Sequence, residues 1–316
     1  MMSVAFCPRF GMAAGAGAAR WIAGPFTVAL IVALLRSPAF AQAPINDAQI
    51  ERRSAAGGLE PAVRAVLARN MPLWIAYRVR MVAGERHMGS WDTSIDGRCC
   101  VCRLESGGGV TLTDREQRGL RVTLEPPTDM LVFARAEGGS IVRLRTFTPD
   151  CEIDGSGMPV VWLDDVRAND SVSWLASLVA GSTGDSTASR GDRVARPALA
   201  AVALHDTSAA DRALERFSAV NEPEWRRHEA AFWLGAARGD AGVATLEKII
   251  AQDPSERVRG RAVFGLSMSR SVAGVTKLIE LARTHPNRDI RRQAMVALGR
   301  TNDSRALKFF EEVLAR

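Results

Sequence analysis

The sequence predicts a multidomain α+β protein, in which a small β-rich domain is followed by an α-helical repeat array. Two observations predict it. Residues 72–166 carry short runs of β-branched, aliphatic and aromatic residues broken by Gly and Pro, whereas residues 192–316 are rich in Ala, Leu and Arg and repeat at a spacing of 32. A polar, glycine-rich stretch over 181–191 separates the two textures. With 316 residues, 47% hydrophobic and 24% charged, the composition is that of a globular protein, which excludes wholesale disorder and a multi-span membrane protein.

The amino terminus reads as a signal peptide over residues 1–41. Arg9 and Arg20 precede an apolar run over 21–35, and Ala39-Phe40-Ala41 supplies the small-x-small pattern cleaved before Gln42. The run is about 15 residues, short of the roughly 20 that span a bilayer, and Arg36 and Pro38 end it. The expected location is therefore periplasmic or extracellular, with membrane attachment only if the segment stays uncleaved. Initiation at Met12 would give a more usual charged leader. Cleavage removes Arg9, Arg20 and Arg36 and no acid, so the formal charge falls from +6 to +3. Lys occurs only at Lys248, Lys277 and Lys308, and the dominance of Arg reads as coding bias. No concentrated basic patch remains, so a nucleic-acid partner is not expected.

Residues 42–60 read as a flexible lead-in to a Cys-containing β-rich domain over 61–166, which opens with a helix over 61–69. Strands are predicted at 73–81, 120–124, 130–134, 141–148 and 160–163, with a hairpin turn at Ala136-Glu137-Gly138-Gly139, where glycine accepts positive φ. Apolar residues at Val172, Leu175, Leu178 and Val179 predict an amphipathic helix in 167–180, capped from Asn169-Asp170. Residues 181–191 are too poor in apolar side chains to pack, and read as a linker.

Four cysteines follow the cleavage site: Cys99, Cys100, Cys102 and Cys151. An even count in an oxidising compartment points to disulfides, and since vicinal cysteines bridge each other poorly, at least one of the cluster is expected to pair with Cys151. The Cys99 to Cys102 spacing also admits a redox site or, with His87 and Cys151, a zinc site, but it lacks the helix start of a thioredoxin-type motif and a second clean ligand pair. The imidazoles after residue 41 are His87, His205, His228 and His285, and no Ser sits in a Gly-x-Ser-x-Gly elbow. Asp154, Asp164 and Asp165 fall on predicted loops without a full calcium ligand set, and Gly107 to Gly109 lack the Lys of a phosphate loop. No catalytic, cofactor-binding or metal-ligating residue is assigned.

From 192 to 316 the columns align as Ala230, Ala262, Ala294; Leu234, Leu266, Leu298; and Gly235, Ser267, Gly299. Arg227, Arg259 and Arg291 share a further column, as do Leu246, Leu278, Phe310 and Ile249, Leu281, Val313. One period earlier, Ala198, Val202, Leu214 and Phe217 form a degenerate leading copy. Each unit predicts two helices, about 222–237 and 241–252 in the first, with helix-start caps in the column Asn221, Asp253, His285. Glu224 and Glu256 follow Asn221 and Asp253 in capping-box spacing, and Pro254 and Pro286 fall at the first helical position.

A unit such as Ile290-Arg291-Arg292-Gln293-Ala294-Met295-Val296-Ala297-Leu298-Gly299 resembles a HEAT repeat of the short kind named after phycobilin lyases. With the signal peptide and Cys-containing region, the layout is similar to exported bacterial HEAT-repeat proteins of unassigned function. The resemblance implies a HEAT-like solenoid that binds a protein or peptide partner in the cell envelope, and an Arg column that ties neighbouring units together through loop carbonyls or acids. Lyase activity does not follow, because such repeats serve widely as scaffolds. On the second helices, Glu247, Ile279, Glu311 and Lys248, Glu280, Glu312 mix sign, and no basic stripe forms. The expected function is a non-catalytic scaffold without a cofactor; the alternative is a thiol–disulfide or metal-dependent enzyme, or a subunit of one, using Cys99 to Cys102 and Cys151.

Overall fold

A computed structural model describes residues 45–83, 102–105, 127–149, 153–182, 190–269 and 271–315. The architecture is α+β, a sheet region followed by helices. The chain runs through β1 (Ile45–Asn46), β2 (Gln49–Ser54), α1 (Leu59–Leu67), β3 (Leu73–Arg80), β4 (Cys102–Arg103), β5 (Asp129–Glu137), β6 (Ser140–Phe147), β7 (Ile153–Asp154) and β8 (Pro159–Asp164). The helices α2 (Ala168–Ala180), α3 (Arg190–Leu204), α4 (Ser208–Phe217), α5 (Glu224–Gln252), α6 (Glu256–Met268), α7 (Val272–Thr284), α8 (Arg288–Leu298) and α9 (Ser304–Leu314) follow. Among these, no helix is long and apolar enough to cross a membrane.

The main sheet has the order β2-β8-β3-β5-β6, with β8 parallel to both β2 and β3, and β5 antiparallel to β3 and β6. Strand alternation gives it two buried faces. Leu73, Ile75, Tyr77 and Val79 of β3, with Met130, Val132 and Ala134 of β5, join the core shared with the helices. Trp74, Ala76, Leu131, Phe133 and Trp162 face the other way, against Leu104 and Ile153 beside the parallel sheet β1-β7-β4. Arginines from β5 and β6 hold that small sheet: Arg145 donates to the Arg103 carbonyl at 2.8 Å, and Arg135 to the Glu105 carboxylate at 2.6 Å. Gly138 and Gly139 turn the β5–β6 hairpin with φ of 58° and 69°, the conformation that glycine permits.

The lead-in, expected to be flexible, contributes an edge strand. All six residues of β2 are exposed, and the strand is held by pairing with β8 and by ion pairs such as Arg69–Glu51 at 2.7 Å. Its charges also suit an edge that must not recruit a second chain. The expected strand at 120–124 lies outside the described residues, as do the signal peptide, Cys99, Cys100, Cys151, His87 and Gly107 to Gly109. Of Cys102, the backbone lies in β4 opposite Ile153.

The core does not divide at the change of composition near 181–191. Ala198, Leu199, Ala201, Val202 and Ala203 of α3 are wholly buried in one cluster that reaches from Ala55 to Phe309. Small side chains on most sides of α3 let it sit between the sheet and the helices beyond it. The helix α5 contains two helical segments that meet at Gly239, whose φ of 50° with ψ of −131° no L side chain accepts readily.

Helix starts fall two residues later than the sequence predicts. Ser255 and Asn287 cap α6 and α8 through their side-chain oxygens, and Pro223 precedes α5 without a side-chain cap. Asp253 instead ends α5 and is 3% exposed, Pro254 and Pro286 precede the caps, and Glu224 and Glu256 are the first helical residues. Ser255 and Asn287 are themselves extended, which presents the cap oxygen directly to the free N–H groups of the next turn. At α2 the cap position is Arg167 rather than Asn169-Asp170, and Asn169 accepts a hydrogen bond from Thr207 at 2.7 Å.

Candidate functional site

Each predicted column finds a definite place. Leu234, Leu266 and Leu298 are 2%, 1% and 0% exposed, and Ala230, Ala262 and Ala294 are fully buried between helices. The arginine column is directed at loop backbone. Arg259 donates to the Asp253 carbonyl at 2.7 Å, and Arg291 to the His285 and Pro286 carbonyls at 2.7 and 2.9 Å. Arg227 reaches into the next unit, donating from Nε to the Asp253 carboxylate at 2.8 Å. Arg259 and Arg291 thus direct Nη1 to backbone carbonyls, while Arg227 holds both a carbonyl and an acid.

The acids read as loop residues sit in or beside strands and already have partners. Asp164 ends β8 and accepts from Arg52 at 2.9 Å, Asp165 accepts from Ser54 at 2.8 Å, and Asp154 in β7 pairs with Arg103 at 3.3 Å. Among the described residues, no group of three or more His, Cys, Asp or Glu is placed to hold a metal ion.

A Ser–His pair absent from the sequence reading lies between sheet and helices. Ser171 Oγ is 2.8 Å from both Tyr77 Oη and His205 Nε2, and His205 Nδ1 is 2.7 Å from the Ala201 carbonyl. The carbonyl only accepts, so Nδ1 carries the proton; Nε2 then accepts from Ser171, whose oxygen accepts from Tyr77. All three side chains belong to residues with no solvent exposure, so no substrate reaches the pair. Its role is to join β3, α2 and the end of α3. Burial pushes His205 down to about 4, with the nearby Arg238 acting in the same sense against the Ala201 hydrogen bond.

Because the folded pKa lies below the ordinary value of 6.5, the stability contributed by neutral His205 is complete above pH 6.5 and is lost as pH falls toward 4. The difference corresponds to about 3 kcal/mol. Urea midpoints should drop more steeply across this window for the native protein than for His205→Asn. Equal slopes would exclude His205 as the acid-sensitive group.

The exposed chemistry lies on the first helices of successive units. The helical period that buries Ala262 and Leu266 leaves Arg261 and Phe264 half-buried and Met268 exposed, and the same register leaves Phe232 half-buried in α5 and Val296 exposed in α8. Phe232 and Phe264 stack with centroids 6.2 Å apart and planes at 10°. The Arg261 guanidinium lies 4.3 Å from the Phe232 centroid and 5.4 Å from that of Phe264, and Arg300 lies 5.7 Å from Phe264 on the other side. Toward the sheet, Trp225 lies near Arg196 at 5.6 Å and Arg226 at 5.4 Å, and Arg196 also pairs with Glu229 at 2.5 Å. Arginine and aromatic rings thus alternate along one ridge, each cation facing ring electrons.

Electrostatics divide this ridge. Burial works against the Glu229 carboxylate, yet the His228 hydrogen bond and the charges of Arg196, His228 and Arg261 outweigh it and hold its pKa low. Burial lowers Arg261 below the ordinary arginine range, with Arg257 adding to the effect and Glu229 opposing it. Arg261 Nε, Trp225 Nε1 and Gln293 Oε1 are buried without a hydrogen-bond partner. Between α6 and α8 the ridge opens into a groove of about 250 Å³, floored by Val263, Phe264, Val296 and Ala297, with Arg292 and Arg300 at its rim. Sequence columns at 229/261/293 and 232/264/296 carry this surface, but their identities change from unit to unit, so a search for matching residues passes over them.

Residues 243–316 match the family of HEAT repeats, which covers the second and third units and the second helix of the first. Among solved structures, one of human deoxyhypusine hydroxylase in complex with glycerol is similar over 40% of this chain and 42% of its own, with 22% identity and a TM-score of 0.33. The chain therefore spans about two fifths of the length of that protein. No curated protein matches the chain.

Proposed function

We propose that this is an exported, non-catalytic interaction protein whose HEAT repeats stack as a solenoid and hold a protein or peptide partner along the ridge of their first helices. The observation that carries the reading is the alternation of Arg and aromatic side chains across consecutive units, continued by Met268 and Val296, which are 36% and 55% exposed. A ridge of aromatic, methionine and arginine side chains matches the residue types that dominate protein interfaces. The signal-like leader supports export, and the four cysteines after it are assigned to a disulfide framework in the β-rich region. The sealed Ser171–His205 pair offers no hydrolytic site, and the enzymatic alternative rests on Cys99 to Cys102 and Cys151 alone.

Affinity capture from the cell envelope tests this. A partner retained by the native protein should be lost with Met268→Glu or Val296→Glu and kept with Val220→Glu, which alters an apolar residue 61% exposed beside the second helices. Loss with Val220→Glu and retention with the other two would overturn the assignment of the face.

A further inference from the structure

We propose that the groove between α6 and α8 takes an acidic protein segment, with one apolar side chain seated on its floor and flanking carboxylates held by Arg292 and Arg300. The proposal rests on the reading of the ridge as the partner-binding face, and adds the chemistry of the partner.

Size speaks first. At about 250 Å³ the groove falls below the roughly 300–1,000 Å³ of small-molecule pockets, which suits a side chain better than a cofactor. Its floor is aliphatic and aromatic, so the seated group is apolar.

Charge comes next. None of the residues lining the groove is acidic. Arg300 meets the Phe264 ring, and among the described residues no carboxylate pairs with it. Arg292 has Asp289 at 3.1 Å, with side chains 74% and 63% exposed, a pair that water weakens and a better-placed carboxylate can displace. The local excess is therefore positive, and it surrounds an apolar floor.

The rim selects among anions by geometry: Arg292 and Arg300 offer planar guanidinium groups that take a carboxylate through two N–H donors, and a peptide carries such carboxylates beside an apolar side chain. A nucleic-acid strand would need a continued track of free cations, whereas toward the sheet Arg196 is paired with Glu229 and Arg226 with Glu222 at 2.7 Å. The positive excess spans one groove.

The test is a peptide array read on the full-length protein, with every apolar residue placed in turn at the centre of three series flanked by Asp and Glu, by Lys and Arg, or by Ser and Gly. Oligothymidine and phosphatidylglycerol vesicles represent the other classes. The acidic series should bind at least about tenfold more tightly than the neutral one. The exposed double change Arg292→Glu and Arg300→Glu should weaken acidic peptides by about tenfold and shift preference toward the Lys and Arg series. Val296→Glu should abolish the dependence on the central residue, with circular dichroism confirming that each variant is folded.

A flat array, tightest binding to the basic series, to oligothymidine or to vesicles, or acidic binding indifferent to the Arg292 and Arg300 changes would each overturn the proposal. If the envelope partner still depends on Met268 and Val296 while acidic peptides do not bind, the chemistry assigned here is wrong and the binding face stands. If capture is indifferent to Met268 and Val296, the reading of the face itself fails.

Discussion

Arg227→Met should lower the free energy of unfolding by about 3–5 kcal/mol, the usual result of removing one partner from a buried ion pair. The Arg227 and Asp253 side chains are 9% and 1% exposed and joined at 2.8 Å. Without the guanidinium, the Asp253 carboxylate keeps the Ser255 amide at 2.8 Å and remains out of water. Asp253→Asn added to Arg227→Met should recover part of the loss, because a neutral amide costs less to bury than a charge. Arg259 occupies the same sequence column, but its hydrogen bonds go to carbonyls and its side chain is 20% exposed. Arg259→Met should therefore cost only about 1 kcal/mol. Urea unfolding of the three variants measures the contrast, and equal losses at Arg227 and Arg259 would show that the ion pair is not the cause.

Leu266→Ala is the second large effect. Leu266 is 1% exposed and lies in the core shared by the helices, so the substitution should cost about 2–5 kcal/mol through lost transfer free energy plus a cavity. Glu280→Ala supplies the comparison: its side chain is 58% exposed and meets Lys277 at 3.0 Å, an exposed pair whose loss should stay within about 0.5 kcal/mol. Thermal unfolding distinguishes them. Two variants of equal stability would mean that the 32-residue register does not set which side chains pack between units.

Residues that repeat in place were legible, because burial demands the same side-chain type in each unit. Ala262 and Leu266 are examples; the strand residues Leu73 to Tyr77 were legible for a different reason, being apolar on both faces. The lead strand β2 was not legible: Gln49, Glu51, Arg52 and Arg53 carry no strand pattern, and its place comes from backbone pairing with β8. Caps were misplaced because Asp253 has the right chemistry for a helix start but is drawn instead to Arg227, a contact 26 residues away in sequence. The candidate face escaped for a related reason. Phe232, Phe264 and Val296 share only an apolar character, and Arg261 becomes informative once its ring neighbours are known. Tyr77, Ser171 and His205 come from three elements, and no spacing in the sequence announces that they meet.

The buried position of α3 bears on how the chain could have changed over evolution. Repeat arrays lengthen and shorten by duplicating or losing whole units, since each unit mainly contacts its neighbours. Here that freedom is unequal along the chain. A unit inserted or removed between α5 and α9 would meet surfaces of its own kind on either side. Removing α3 and α4 would uncover one face of the sheet and leave Tyr77 and Ser171 without His205, so the leading copy is tied to the sheet as inner units are not. The weaker repeat pattern at 192–220 accords with that constraint, since these residues pack in the core shared with the sheet.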